Sequence, residues 1–241
     1  MAISTDSIIH YTNSLDTLKA ILKEGGLKLK YCNEELRLGV GSSNTAHPMV
    51  SFCDIPLSNS KKHFDAYGKY GIGLTKKWAF VKQINPVLYI DRNSLIADNL
   101  HTLIKSEEQV PQIQRIKSCA KNYSGKLTKN NITTFEYRFY DEREWRFTPA
   151  IDDEEFNKCK SAISIKTVLY LDNKDRYNEQ IKEYRLKFDP DDISYIIVEF
   201  TSEISEVINF LRNEYQSRCT AKELDILFSK VCSTEQIIAD Y

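Results

Sequence analysis

Tyr140-Asp141-Glu142-Arg143-Glu144-Trp145-Arg146-Phe147 sets five charged side chains among aromatic ones, a density reached nowhere else in the chain. Read as a strand it alternates, with Glu142, Glu144 and Arg146 facing one way and Arg143, Trp145 and Phe147 the other. Two carboxylates on one face can build a site when a cation offsets their repulsion, and Arg146 on that face is such a cation. The plainer alternative is a half-buried strand whose polar face meets solvent.

Outward from this stretch, strands alternate with irregular glycine-bearing loops and helices lie at the edges, so the fold class expected is α+β. Ile8 to Tyr11 reads as a strand, followed by a helix with Leu15, Leu18, Ile21 and Leu22 on one stripe and a stop at Gly25-Gly26. Gly39, Gly41, Ser42, Ser43 and Asn44 mark 31–48 as an irregular loop. Val50 to Ile55 reads as a strand ended by Pro56. In Tyr67 to Leu74 the three glycines thin one side of an extended segment, which suits close approach of a ligand or of another backbone.

Further on, 91–128 reads as mainly helical and Asn122 to Asn131 as a polar, basic loop. Thr133 to Phe147 and Ile163 to Tyr170 read as strands, Asp175 to Phe188 as a charged helix, and Ile193 to Phe200 as the most apolar strand. The whole, 1–241, is expected to be a single domain with a helical C-terminal portion from about residue 201. The glycine fingerprint of dinucleotide-binding domains is absent.

With 241 residues, 41% apolar and 11% aromatic, the chain can bury a sizeable core and does not have the composition of a disordered one. Thirty-three basic against thirty-four acidic residues give no global attraction to nucleic acid, and the Lys121 to Lys129 run is basic but short. Met1-Ala2-Ile3 opens no leader pattern and no apolar run approaches about eighteen residues, so a soluble, cytoplasmic protein without a membrane partner is expected. The six cysteines are scattered without a Cys-x-x-Cys pair, and buried thiols are expected rather than zinc ligands or disulfides.

Several residues carry possible chemistry. His10, with Tyr11 and Thr12 directly before a helix start, is placed to hydrogen-bond a ribose hydroxyl. Tyr67 or Tyr70 could stack on a flat heterocycle such as nicotinamide, with Gly68 admitting the ligand to the backbone; the alternative is a packed hairpin. Glu142 and Glu144 suit glycosidic cleavage, where one carboxylate stabilises an oxocarbenium-like cation and the other orients or deprotonates a nucleophile. His10, His47 and His63 lack the spacing of a metal triad, so no metal is expected. No Gly-x-Ser-x-Gly elbow occurs.

Taken in order, these pieces resemble the ADP-ribosyltransferase superfamily. His10 and its Gly-Gly-stopped helix resemble the opening of the toxin-type transferases. Tyr67 to Leu74 resembles the Tyr-Gly-x-Gly segment of the poly-ADP-ribose polymerase branch, with wider glycine spacing and Leu74 in place of an aromatic. Glu142-x-Glu144 resembles the Glu-x-Glu motif of the arginine-modifying branch. The resemblance implies a split mixed β-sheet core with peripheral helices and NAD as substrate. It places His10 on the adenine-side ribose, Tyr67 or Tyr70 over nicotinamide, Glu144 on the nicotinamide ribose, and Glu142 toward the acceptor. Arg146 either adapts the carboxylate pair to the ligand or salt-bridges Glu144 and silences it.

A closer likeness covers nearly the whole chain. Val50-Ser-Phe-Cys-Asp-Ile-Pro-Leu57, Tyr67 to Leu74, Trp78-Ala79, Asn85-Pro-Val87, Glu142-x-Glu144-Trp-Arg146 and Thr234-Glu-Gln-Ile-Ile-Ala-Asp240 resemble the bacterial AbiGi-like family, described as the antitoxin half of a phage abortive-infection system. Two functions are thereby expected. The first is an NAD-dependent ADP-ribosyltransferase of phage defence, acting on an unidentified macromolecule. The alternative is a non-catalytic antitoxin that neutralises a partner protein by direct binding, with the helical tail as its interface.

Overall fold

The computed structural model describes residues 4–107, 110–129 and 132–240. Met1, Ala2 and Ile3 of the expected leaderless start, and Asn130 and Asn131 of the expected basic loop, lie outside them. In chain order the described residues open with strand β1 (Ser7–Thr12), helix α1 (Leu15–Glu24), β2 (Gly26–Lys28), β3 (Lys30–Leu38) and β4 (Gly41–Cys53). Next come α2 (Lys61–Tyr67), β5 (Tyr70–Thr75), α3 (Lys76–Val81), β6 (Asn85–Pro86), β7 (Leu88–Ile90), α4 (Leu95–Ser106) and α5 (Pro111–Cys119). The middle continues with β8 (Ala120–Asn122), β9 (Gly125–Lys129), β10 (Ile132–Tyr137), β11 (Glu144–Phe147), α6 (Glu154–Lys158), β12 (Ile165–Lys166), α7 (Thr167–Asp172) and α8 (Lys174–Gln180). The chain closes with β13 (Arg185–Lys187), β14 (Ile193–Val198), α9 (Ile204–Tyr215), α10 (Ala221–Phe228), β15 (Val231–Ser233) and α11 (Thr234–Asp240). The class is α+β: a mixed multi-stranded sheet with peripheral helices.

The residues group into two compact units, one of Met1–Leu27, Phe52–Gln83 and Leu186–Tyr241, the other of Lys28–Ser51 and Ile84–Arg185. In the first, β1 and β14 each pair antiparallel with β5, and β15 adds parallel to β14. Apolar runs in β1, β5 and β14 leave Ile8, Ile72, Leu74, Ile196, Ile197 and Val198 fully buried, as a sheet covered on both faces requires. Helix α1 forms as its sequence dictates. The Ser14 side chain accepts a hydrogen bond from the Thr17 amide, and Gly25 closes the helix at φ 55°.

The glycines of β5 make room for protein rather than for open space. Gly71 lies opposite Tyr11 and Gly73 opposite Tyr195. A methyl group on Gly73 would stand 2.8 Å from the Tyr195 ring, and one on Gly71 3.2 Å from that of Tyr11. Gly68 ends α2 at φ 115° and ψ 158°, a conformation essentially confined to glycine. A Cβ there would fall 2.1 Å from the Thr12 carbonyl oxygen.

The second unit departs most from the sequence expectations. The stretch 31–48, expected as a loop, is the hairpin β3–β4, paired from Lys30↔Met49 to Leu38↔Gly41 around Gly39 and Val40. Gly39 supplies the left-handed φ of 56° at the turn. Leu36 and Leu38 bury in one core with Ile90, Ala97, Ile104, Ile113 and Ala120, so packing overrides the low strand propensity of Gly, Ser and Asn.

The helical reading of 91–128 holds for α4 and α5 and ends there. Ala120 joins the core, and the Asn122 side chain accepts from the Arg37 amide and donates to the Arg37 carbonyl, fixing β8 as a strand. Within the expected basic loop, Gly125–Lys129 is strand β9, paired antiparallel with β10. From 163 only Ile165 and Lys166 pair, with Ala46 and Thr45. The chain then turns helical in α7 and buries Tyr170, whose hydroxyl donates to the Tyr31 carbonyl. The charged helix expected to reach Phe188 stops at Gln180, before the short strand β13.

Gly68→Ala tests the packing of β1 against the end of α2. We expect a loss of about 3 kcal/mol or more in urea unfolding, since the new side chain meets both a glycine-only backbone conformation and a fixed carbonyl. Ala66→Gly, in the helix before it, should cost only about 1 kcal/mol.

Candidate functional site

The motif that organised the sequence reading is not one continuous strand. Residues Phe139–Glu142 form a single 3-10 turn, Arg143 takes a left-handed φ of 45°, and β11 begins only at Glu144. The expected exposed polar face is absent too: Glu142, Glu144 and Arg146 are buried, as are Trp145 and Phe147. β11 is held through Trp145↔Pro86 and Arg146↔Asn85, and the Glu144 amide donates to the Tyr89 hydroxyl at 2.8 Å.

Arg146 is the hub. Its Nε donates to Glu144 Oε1 at 2.7 Å, while Nη2 reaches Glu144 Oε2 at 3.0 Å and Glu34 Oε1 at 2.8 Å. Nη1 donates to the carbonyl of Ser118, in the last turn of α5, at 3.0 Å. Lys121, from β8, donates to Glu142 Oε2 at 2.7 Å and Glu144 Oε2 at 3.0 Å. Its ammonium also lies 4.8 Å from the centre of the Phe139 ring. Glu142 joins Glu144 at this lysine because the turn and the left-handed Arg143 fold it back, not because the two share a strand face.

Three carboxylates therefore face two cations in a buried setting. Burial alone would raise the Glu144 carboxyl. The Arg146 guanidinium, the Lys121 ammonium and the hydrogen bonds outweigh it and hold the group well below the usual carboxylate range. Burial likewise opposes the charges of Lys121 and Arg146, and the facing glutamates raise both above their ordinary values. Tyr137, beside Glu142, is pushed up to about 12 by burial and by that carboxylate. A general base needs a free lone pair and a pKa near the working pH. Glu144 accepts from Arg146 on both oxygens and from Lys121 on one, and these cations hold its carboxyl well below the range a general base needs at neutral pH.

Sequence reasoning missed Glu34 and Lys121. Glu34 fell in the supposed loop 31–48, and Lys121 was read as part of a basic surface run. No local pattern marks either, because each reaches the cluster only through strand pairing.

The remaining candidate residues lie in the first unit. His10 shares a sheet face with Ile8 and Ile72 and sets its ring edge-on to Phe52, centroids 5.9 Å apart. Tyr11 points to the other face, where its hydroxyl donates to Ser60 Oγ at 3.1 Å and its ring meets Phe64. Thr12 pairs with Tyr70, whose hydroxyl donates to Glu203 at 2.9 Å. Tyr67 is half-exposed at the end of α2, its ring 5.8 Å from that of His63. Within this unit His10, Thr12 and Tyr70 share one face and Tyr11 stands on the reverse.

His47 is buried in the second unit. Its Nδ1 lies 3.1 Å from the Ile163 carbonyl, which can only accept, so Nε2 takes the hydrogen bond from Thr45 at 2.8 Å and the ring is neutral. Among the described residues no group of three or more His, Cys, Asp or Glu is placed to hold a metal ion.

With this geometry in hand, comparison with known proteins defines the class. Residues 17–199 match the family described as "Putative abortive phage resistance protein AbiGi, antitoxin", and the chain belongs to that family. The abortive phage resistance protein AbiGi of Lactococcus lactis subsp. cremoris is 26% identical over 222 residues, covering 80% of this chain and 88% of the relative. No solved structure matches. These findings correct the expectation of an NAD-dependent ADP-ribosyltransferase. The family is described as an antitoxin rather than as a transferase that consumes NAD, and it favours the alternative of a protein that acts on a partner. No helix among the described residues is long and apolar enough to cross a membrane.

Burial pulls His47 down to about 4, against an ordinary value of 6.5. Between those values the unfolded chain binds the proton and the folded chain does not, so stability falls as pH drops through this window. The shift corresponds to about 3 kcal/mol at most. Glu144 adds a second loss below the ordinary carboxylate value of 4.5. Urea midpoints measured from pH 7 to pH 4 should fall for the wild type and fall less steeply for His47→Gln.

Proposed function

We propose that this protein is the antitoxin of an abortive-infection pair and restrains a partner protein by binding it directly. The match over 17–199 to a family described as an antitoxin carries this reading. The charge cluster supports it, since Glu144 is held as a doubly bridged carboxylate in a role that organises β3, α5, β8 and β11 around one guanidinium. Neither an ADP-ribosyltransferase-like form of the fold nor NAD as a substrate belongs to this reading.

The helical C-terminal portion is the contact surface we assign to the partner. It presents the exposed side chains of Ile226 on α10 and Ile238 on α11. Such apolar side chains are the usual anchors of a protein interface. Co-expression with the product of the adjacent gene should restore the growth which that product arrests when expressed alone, and the two chains should co-purify. Ile226→Glu should weaken the complex about tenfold or more without changing the thermal melt. Rescue without any association between the two proteins would refute direct binding.

A further inference from the structure

Away from the buried charge cluster, the second unit carries a cleft of about 350 Å³ between β4, α4 and the β12–α7 junction. Ser42, Ser43 and Asn44 enter it from β4, and His101 and Lys105 from α4. Lys166 and Thr167 line the opposite wall, and Ile104, part of the unit's core, forms an apolar side. Two lysines, Lys105 and Lys166, line this cleft with Ser42, Ser43, Asn44 and His101, and no carboxylate is among the lining residues; the Thr167 hydroxyl gives its own proton to Asn33.

The architecture holds these donors in place. α4 runs along the β3–β4 turn with the His101 ring directly over Gly41, where a Cβ would lie 2.1 Å from the ring. The acid on the same helix face, Asp98, is carried past the cleft to the turn, its carboxylate over Gly39. On the opposite wall the Thr167 hydroxyl donates to Asn33 and the Lys166 backbone pairs opposite Thr45, which fixes the wall from which the lysine side chain extends. No ion pair among the described residues engages Lys105 or Lys166.

We infer that this cleft is a phosphate-binding site, taking either inorganic phosphate or the phosphate of a small nucleotide. Lysines from two separate elements, α4 and β12, lining one cleft with polar residues of β4, match the charge and the acceptor oxygens of a phosphate dianion. The volume lies in the range of small-ligand pockets, and Ile104 and Val168 offer an apolar wall to a flat group attached to the phosphate. The site stands independently of the antitoxin reading.

The test is a calorimetric titration of the full chain with inorganic phosphate and, separately, with a nucleoside 5′-monophosphate and its neutral nucleoside. Saturable binding at one site is expected for the phosphate-bearing compounds, weakening as salt is raised. Tighter binding of the monophosphate would identify a nucleotide site; equal binding would identify a site for phosphate itself. Lys105→Gln with Lys166→Gln should weaken binding about tenfold or more, and Lys174→Gln, an exposed cation outside the cleft, should leave it unchanged. Thermal melts establish that the variants fold, and Lys166→Gln alone serves should the double variant fail. Absence of saturation with both phosphate compounds, equal binding of the neutral nucleoside, or unchanged affinity in the folded lysine variants would overturn the assignment.

Discussion

The structure of the second unit depends on one buried guanidinium. Arg146 is fully removed from solvent, and its donors are divided among Glu144, Glu34 and the carbonyl of Ser118. Removing one partner from such a pair commonly costs about 3–5 kcal/mol, because a charge is left buried without compensation. That constraint fixes which strands can be neighbours. β3, β11 and the end of α5 each deliver an acceptor to the guanidinium, and β8 delivers Lys121 to the same Glu144.

The cluster also shows how a motif with catalytic associations can serve architecture. A Glu-x-Glu pair is chemically ambiguous: it can support an oxocarbenium ion or anchor cations. Here Lys121 and Arg146 occupy both oxygens of Glu144 and keep it ionised, and Glu142 spends one of its oxygens on the same lysine. The antitoxin description of the family fits a protein whose charged motif stabilises a scaffold and whose work is done at its surface.

Much of the first unit was legible in the sequence. Ile8 to Tyr11, the helix stopped at Gly25, and the apolar strand from Ile193 all carry local signals that match their packing. The glycine strand was legible as a place of close approach, but not the identity of what approaches, since Tyr195 comes from a strand more than a hundred residues later in the chain. In the second unit, Trp145 and Phe147 were readable as core anchors. Glu142 was misplaced because the left-handed Arg143 interrupts the alternation. The hairpin from Lys30 to Met49 was hidden by the Gly, Ser and Asn residues of β4, which form a strand because Leu36 and Leu38 on β3 find a core. Glu34 and Lys121 were invisible for the same reason: long-range pairing, not local pattern, brings Glu34 to Arg146 and Lys121 to Glu144.

The claim that Glu144 serves the fold and not a chemical step is tested most directly by the affinity of Glu144→Gln for the partner protein, measured on the folded fraction. The amide keeps the side-chain shape but gives up the charge between Lys121 and Arg146. The variant should be less stable yet bind the partner, molecule for folded molecule, as the wild type does. A Glu144→Gln protein that folds with wild-type stability and has lost partner binding would contradict the account.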